Sequence, residues 1–302
     1  MAHPESRISW MINPEWAPLL DQNPDLDEVV LFPRQTFRGP MGVWRFMKWL
    51  RSGAVPLADW ALDFQCLLRS AMIAKASGAS RRAGLSDSRE GASFFYNEIV
   101  PLREGLHSVE RYLALASHFG ARPQEAPIWR LPAGYAPKSV ILPKRFLLLH
   151  PFSRGRGKSM SPAQVEHFCR CFGDDYLILI CGRSELDLSQ LSVSGNVISL
   201  LNKTSLQELI FLARAATGIV SVDSGPMHIA AAVNSKLVGI HSWSDPRKVG
   251  PFHPASYVWQ GNHIWQCGER GPVIVEKNAG CELNPGALEQ IAIFTRRTFF
   301  SD

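Results

Sequence analysis

The fifteen residues from Gly218 to Ala232 constrain this chain's fold more than any other stretch: Gly-Ile-Val-Ser-Val-Asp-Ser-Gly-Pro-Met-His-Ile-Ala-Ala-Ala. Ile219 to Val222 reads as a buried strand and Asp223-Ser224-Gly225 as a tight polar turn. A helix then opens at Pro226, where a missing N–H costs nothing. Ser224 or Gly225 can cap it. Free amides and the positive end of the helix dipole then point out of the carboxyl end of a sheet, a ready-made anion site. Asp223 stands where it can bind hydroxyls beside that anion, and His228 sits one turn into the helix. Ala230, Ala231 and Ala232 let the helix lie close on the sheet. Taken alone, the unit is equally compatible with an idle strand–turn–helix. Its continuation narrows the choice. Val238 to His241 reads as the next strand, followed by the polar loop Ser244-Asp-Pro-Arg-Lys-Val-Gly-Pro251. Two strands separated by a helix imply a parallel pair. Each delivers a polar loop to the same edge, where open α/β sheets bind ligands.

The same alternation extends upstream. Phe146 to His150 reads as a strand, followed by the loop Pro151-Phe-Ser-Arg-Gly-Arg-Gly-Lys-Ser159 and a helix capped at Ser161-Pro162. The loop has glycines for close backbone approach and three cations, Arg154, Arg156 and Lys158. A departing diphosphate needs such charges; the plainer reading is a flexible basic loop. It is not a Walker A loop, because Phe152 occupies the first glycine position. Tyr176 to Cys181 reads as a strand ending at Gly182-Arg-Ser-Glu185, Val197 to Leu200 as a short strand and Ser205 to Ala215 as a helix. In the N-terminal half, strands are expected at Ile8 to Ile12, around Glu28 to Phe32 and at Trp60 to Phe64. Helices are expected at Val43 to Leu50, Leu67 to Ala76 and His107 to Phe119. A proline-punctuated stretch from Ala121 to Lys144 separates the halves. We read residues 1–140 and 141–302 as two domains. No Gly-x-Gly-x-x-Gly follows a strand, which disfavours a dehydrogenase.

At 302 residues the chain is long enough for two such domains. Its 46% hydrophobic and 20% charged residues are those of a globular protein. No apolar run reaches the ~20 residues that cross a bilayer, and the polar N-terminus, broken by Pro4 and Pro14, has no signal-peptide pattern. The six cysteines suggest neither a disulfide framework nor a metal site: Cys267 and Cys281 lack further ligands at suitable spacing. A reducing cytoplasm is expected. The net charge of +5 is uneven. From Leu31 to Arg89, ten Lys or Arg face three Asp, a field that attracts an anionic partner. No nucleic-acid-binding motif accompanies it. Trp44, Phe46 and Trp49, interleaved with basic residues, read as packing groups of an amphipathic helix or as a membrane-touching face.

Val222-Asp-Ser-Gly-Pro-Met-His-Ile-Ala-Ala-Ala232, followed by Ser244-Asp-Pro246 and Gly250-Pro251, resembles the donor-site signature of the lipopolysaccharide heptosyltransferases, glycosyltransferase family 9. Asp63-Phe-Gln-Cys-Leu-Leu-Arg-Ser-Ala71 resembles the family's Asp-x-Gln-Gly-Leu-x-Lys-Ser-Ala segment. Arg89-Glu90, Ala92 to Tyr96, His107 to Arg111 and Lys203 to Leu209 follow in family order, so the resemblance runs from about Ile8 to the C-terminus. It implies an α/β chain of GT-B architecture, two Rossmann-like domains with parallel sheets across a cleft. It also implies a metal-independent, inverting transfer of heptose from ADP-heptose to the anionic lipopolysaccharide core, with no cofactor. By family position Lys158 contacts the donor phosphates and steadies the leaving group, with Ser153 and Arg154 alongside. Glu185 resembles the ribose-binding acid, Asp223 binds sugar hydroxyls, and Ser224 and Gly225 hold phosphate. His228 either reaches the phosphates or packs. Arg69, Arg89 and Arg38 are the acceptor-side residues. The resemblance further implies cytoplasmic work near the inner face of the inner membrane. One departure stands out. The family's first strand, its Ser-Leu-Gly-Asp loop with the aspartate proposed as general base, and its first helix have no counterpart ahead of Ile8. Two readings stay open: an enzyme whose start is assigned too far downstream, or a catalytically impaired remnant that binds nucleotide sugar or lipopolysaccharide.

Overall fold

The computed structural model describes residues 3–122, 128–154, 157–185, 195–242, 244–268 and 282–301. It divides into two compact units, residues 1–130 and 131–302. The sequence reading placed the passage ten residues later. Residues 131–140 have no helical or strand pattern to say which body they lie on, and they pack with the second unit. Arg214 donates to the carbonyls of Leu131 and Pro132 at 3.0 and 3.2 Å. Gly134 lies so close to the helix at Leu206–Ala215 that a Cβ would stand 2.3 Å from the Gln207 carbonyl oxygen.

The first unit contains β1 (Ser9–Ile12), β2 (Glu28–Leu31), α1 (Gly42–Leu50), β3 (Trp60–Leu62), α2 (Leu68–Ala76), β4 (Arg81–Leu85), β5 (Glu98–Val100) and α3 (Ser108–His118). Its described strands form two separate parallel sheets, β1–β2 and β3–β4–β5. The cap of α3 is His107: its ring Nδ1 accepts from Val109 N–H at 3.2 Å, while Glu110 reaches back to the His107 amide at 2.7 Å. This is a capping box with histidine in the place of serine.

The second unit contains β6 (Phe146–His150), α4 (Pro162–Phe172), β7 (Leu177–Ile180), β8 (Val197–Ser199), α5 (Leu206–Ala215), β9 (Gly218–Val222), α6 (Gly225–Val233), β10 (Leu237–Ile240), α7 (Pro246–Val249), β11 (Tyr257–Gln260), β12 (His263–Gln266) and α8 (Pro285–Phe299). Among the described residues the sheet order is β12-β11-β10-β9-β6-β7-β8, parallel except for β12. Strands β6 and β9 are apolar nearly throughout because both faces are covered. Leu147, Leu149, Val220 and Val222 pack with Phe168 and Phe172 of α4 and Ile291 of α8. Phe146, Leu148 and Ile219 point to the other face, against Leu212 of α5 and Met227 and Ala230 of α6.

The two units wind alike. In the second, β6 is central, β7 and β8 step away on one side, and β9, β10 and β11 on the other. In the first, β1–β2 repeat the first pair and β3–β4–β5 the second triplet. Among the described residues β1 pairs with β2, and β3 with β4. The two units differ in burial. Every residue of β6 and β9 is buried, and none of β1 or β2 is.

The β3 end is fixed by a buried carboxylate. Asp63 accepts from Tyr96 O–H at 2.6 Å and from the amides of Gln65 and Cys66 at 2.9 and 3.0 Å. Gly84 in β4 makes room for the tyrosine: a Cβ there would stand 2.1 Å from its ring. Gly84→Ala is therefore expected to cost the first unit about 3 kcal/mol, combining overpacking with a weakened hydrogen bond to a buried charge. A urea midpoint unchanged by this substitution would refute that account.

Candidate active site

The carboxyl ends of β6, β9 and β10 are adjacent in the sheet and deliver three loops to one edge. After β6, the loop folds back on itself. Ser153 N–H donates to Ser159 Oγ at 2.8 Å, and Ser159 O–H donates to the Ser153 carbonyl at 3.0 Å. Ser242, after β10, anchors the same loop by donating to the Gly157 carbonyl at 3.2 Å. The loop thereby carries Lys158 to the end of β9, where its ammonium donates to Asp223 Oδ2 at 2.5 Å.

After β9 the chain turns at Asp223 and enters α6 with Ser224 as N-cap, its Oγ accepting from Met227 N–H at 3.4 Å. Pro226 lies in the first turn and has no N–H, and Met227 N–H is taken by the cap, so Gly225 supplies the first-turn amide that can face a ligand.

Two buried histidines support this edge from below. His150 ends β6, with Nδ1 at 3.3 Å from Ser224 Oγ and 3.5 Å from Ser221 Oγ. His241 follows β10, with Nδ1 at 2.9 Å from Ser244 Oγ. Burial pushes both imidazoles down to about 4, so both are neutral at pH 7. For Asp223, burial works against ionisation, but the hydrogen bonds from Lys158 and Ser244 outweigh it and hold the carboxyl below its usual value. A consistent proton arrangement follows. His241 Nδ1–H donates to Ser244, whose hydroxyl donates to the Asp223 carboxylate. His241 Nε2, buried without a hydrogen-bond partner among the described residues, is then a bare acceptor. A bare acceptor is cheaper to bury than a bare N–H donor.

The structure thus brings Lys158, Asp223, Ser224 and Ser153 together. Gly225 and His228 are exposed on the first turns of α6, and His228 contributes to the field at His241. Arg154 is exposed in the β6 loop, while Arg156 and Cys281 lie outside the described residues. Glu185 is exposed after β7; its neighbour Ser184 is pinned by Asn202 at 3.1 and 2.8 Å. No hydrogen bond among the described residues joins Glu185 to the Lys158–Asp223 group. In the first unit, Arg69 and Arg89 lie near the carboxyl ends of β3 and β4, with Arg89 N–H donating to the Cys66 carbonyl at 3.0 Å. Arg38 precedes α1 and its carbonyl accepts from Arg45 at 2.6 Å. The sequence reading gave no role to His150, His241 or Ser244. Their signal was a polar residue closing, or just following, an otherwise apolar central strand.

Comparison with known proteins places the chain in a family. The profile described as "Glycosyltransferase family 9 (heptosyltransferase)" matches residues 43–141 and 176–276. The lipopolysaccharide core heptosyltransferase OpsX of Haemophilus influenzae is 21% identical over 267 residues, covering 83% of this chain and 74% of that protein. A family 9 glycosyl transferase from Veillonella parvula superposes with a TM-score of 0.75 at 17% identity, over 98% of this chain and 89% of the other. E. coli heptosyltransferase WaaC, solved with ADP-2-deoxy-2-fluoro heptose, gives 0.70 at 17% identity, over 97% and 90%. The match to these folds is that of a GT-B glycosyltransferase. With its profile spanning most of both units, the chain belongs to glycosyltransferase family 9, the heptosyltransferases.

Proposed function

We propose that the second unit binds an ADP-activated heptose, and that the enzyme transfers this sugar with inversion to the anionic inner core of lipopolysaccharide. The observation that carries the reading is the Lys158–Asp223 pair at the N-terminus of α6. A diphosphate entering here competes with Asp223 for the Lys158 ammonium and meets the Gly225 N–H and the positive end of the α6 dipole. Asp223, released from that pair, can accept hydrogen bonds from the sugar hydroxyls. The ligand solved with E. coli WaaC supports an ADP-sugar as the donor class.

In the reaction an acceptor oxygen forms a bond to the anomeric carbon while the bond from that carbon to the diphosphate breaks. The electron pair leaves with ADP, and the hydroxyl proton passes to a base. Lys158 and the N-terminal end of α6 stabilise charge that grows on the leaving diphosphate. Holding donor and acceptor in register supplies the rest. Arg69, Arg89 and Arg38 serve the acceptor's anionic groups, and the work takes place in the cytoplasm, with peripheral contact at the inner membrane.

A second reading, donor binding without transfer, is kept because the hydrogen-bonded groups of the candidate site all lie in the second unit. Calorimetric titration tests the donor site for both readings. The protein is expected to bind ADP and ADP-heptose, and Asp223→Ala to weaken the sugar nucleotide by about tenfold, as for a lost hydrogen bond to a charged group. Equal affinity in the variant would remove Asp223 from the site. Binding without turnover would select the second reading.

A further inference from the structure

Helix α1 has one face that its own unit explains and one that it does not. Gly42 and Phe46 are buried, and Phe46 and Trp49 stack at 6.2 Å and meet Phe32 and Phe37 edge-on or tilted. The outer side carries Met41, Val43 and Trp44, exposed by 56, 75 and 58%. Exposed cations surround them: Arg38, Arg45, Lys48 and Arg51. The Lys48 ammonium lies 5.6 Å over the Trp44 ring. From Val29 to Ala58 the chain has five Lys or Arg and no Asp or Glu.

Scattered apolar residues on a surface need no explanation, but an apolar cluster within an unopposed basic field does. A soluble polyanion would satisfy the cations and gain nothing from Val43 and Trp44. A bilayer surface satisfies both, with lipid phosphates for the cations and the headgroup boundary for the indole. We infer that α1 and the turn before it dock on an anionic lipid surface, with Met41, Val43 and Trp44 entering the headgroup layer and Arg45, Lys48 and Arg51 binding its phosphates. The contact is peripheral: among the described residues no helix is long and apolar enough to cross a membrane. This deepens the membrane contact proposed above by naming its surface, and it is independent of the donor site.

The test is co-sedimentation of the full chain with vesicles of phosphatidylcholine alone or mixed with phosphatidylglycerol, without nucleotide or acceptor. Binding is expected only to the anionic vesicles. Arg45→Gln and Lys48→Gln should each lower the partition about fivefold, the equivalent of about 1 kcal/mol per cation near such a surface. Val43→Ser with Trp44→Ser, which keeps every charge, should lower it by about tenfold or more. Trp44→Phe should restore most of it, which a misfolded protein would not. If the wild type ignores anionic vesicles, or if the serine pair binds as well as wild type while the glutamine variants fail, the inference is overturned. The second pattern would mark a polyanion site. Loss of ADP binding with lipid binding intact would count against the donor-site reading alone.

Discussion

Lys158→Ala is expected to lower turnover by about 10²–10³-fold, the usual loss when one preorganised donor to a developing anion is removed. Two effects are mixed in that number. In the proposed site the substitution removes charge from the leaving diphosphate, and it also strands Asp223, a carboxylate with 9% side-chain exposure. A mostly buried charge without its partner destabilises the fold. The double variant Lys158→Ala/Asp223→Ala separates them. It is expected to recover most of the lost folding stability, because no buried charge remains unpaired, and none of the lost turnover. Thermal unfolding reports the first quantity. Steady-state transfer from ADP-heptose to a heptose-free core acceptor reports the second. Full turnover in Lys158→Ala would end the assignment of this residue to the leaving group.

Acid should loosen the second unit well before its carboxylates titrate. His150 and His241 are both held at about 4 by burial, against an ordinary 6.5. The unfolded chain therefore binds more protons than the folded one between those values. Stability is full above about pH 6.5 and falls as pH drops through the window to about 4, by on the order of 3 kcal/mol for each ring. Two such losses are comparable with a typical domain's entire stability of about 5–15 kcal/mol. Urea unfolding followed through tryptophan fluorescence at pH 7 and pH 4.5 is the check, since Trp259 is buried in this unit. The midpoint should fall steeply for the wild type and less steeply for His150→Gln. A midpoint insensitive to pH across this range would show that these rings are not held neutral.

The sequence was most readable where several signals agreed. Phe146–His150 and Gly218–Val222 are continuous apolar runs closed by polar turns, and Ser161-Pro162, Ser205 and Ser224 cap the helices that follow. Propensity, burial and capping point the same way there, and observed boundaries fall within a residue or two of expectation. β11 and β12 went unread, although a signal existed. Gly261 and Asn262 both have positive φ, 57° and 65°, the geometry of a tight two-residue hairpin between Tyr-Val-Trp-Gln and His-Ile-Trp-Gln. β4 and β5 are short and carry charge, so no period stands out. In the candidate site, the positions of Lys158 and Asp223 on neighbouring loops were legible because loop charge and turn position are local properties. The support from His150, His241 and Ser244 was not, because it depends on which strands become neighbours. Sequence order alone does not say that β6 lies beside β9.

The last helix gives the order of synthesis a role in how the proposed donor site forms. α8 buries Ala287, Leu288, Ile291, Ala292, Thr295 and Phe299, and much of this face completes the core against α4 and the sheet. Phe300 packs on Phe172 and Tyr176, and its carbonyl accepts from Arg145 and Tyr176 at the base of β6. Phe299 and Phe300 also fill the space beside Gly218, where a Cβ would come within 3.0 Å of either ring. The two strands that carry Lys158 and Asp223 to their meeting point are thus locked by residues made some seventy-five positions after Asp223. On the ribosome the first unit can begin to fold early, whereas the second must wait for nearly the whole chain to emerge. A transcript cut short within α8 would leave Lys158 and Asp223 in the chain and still fail to hold them at the proposed donor site.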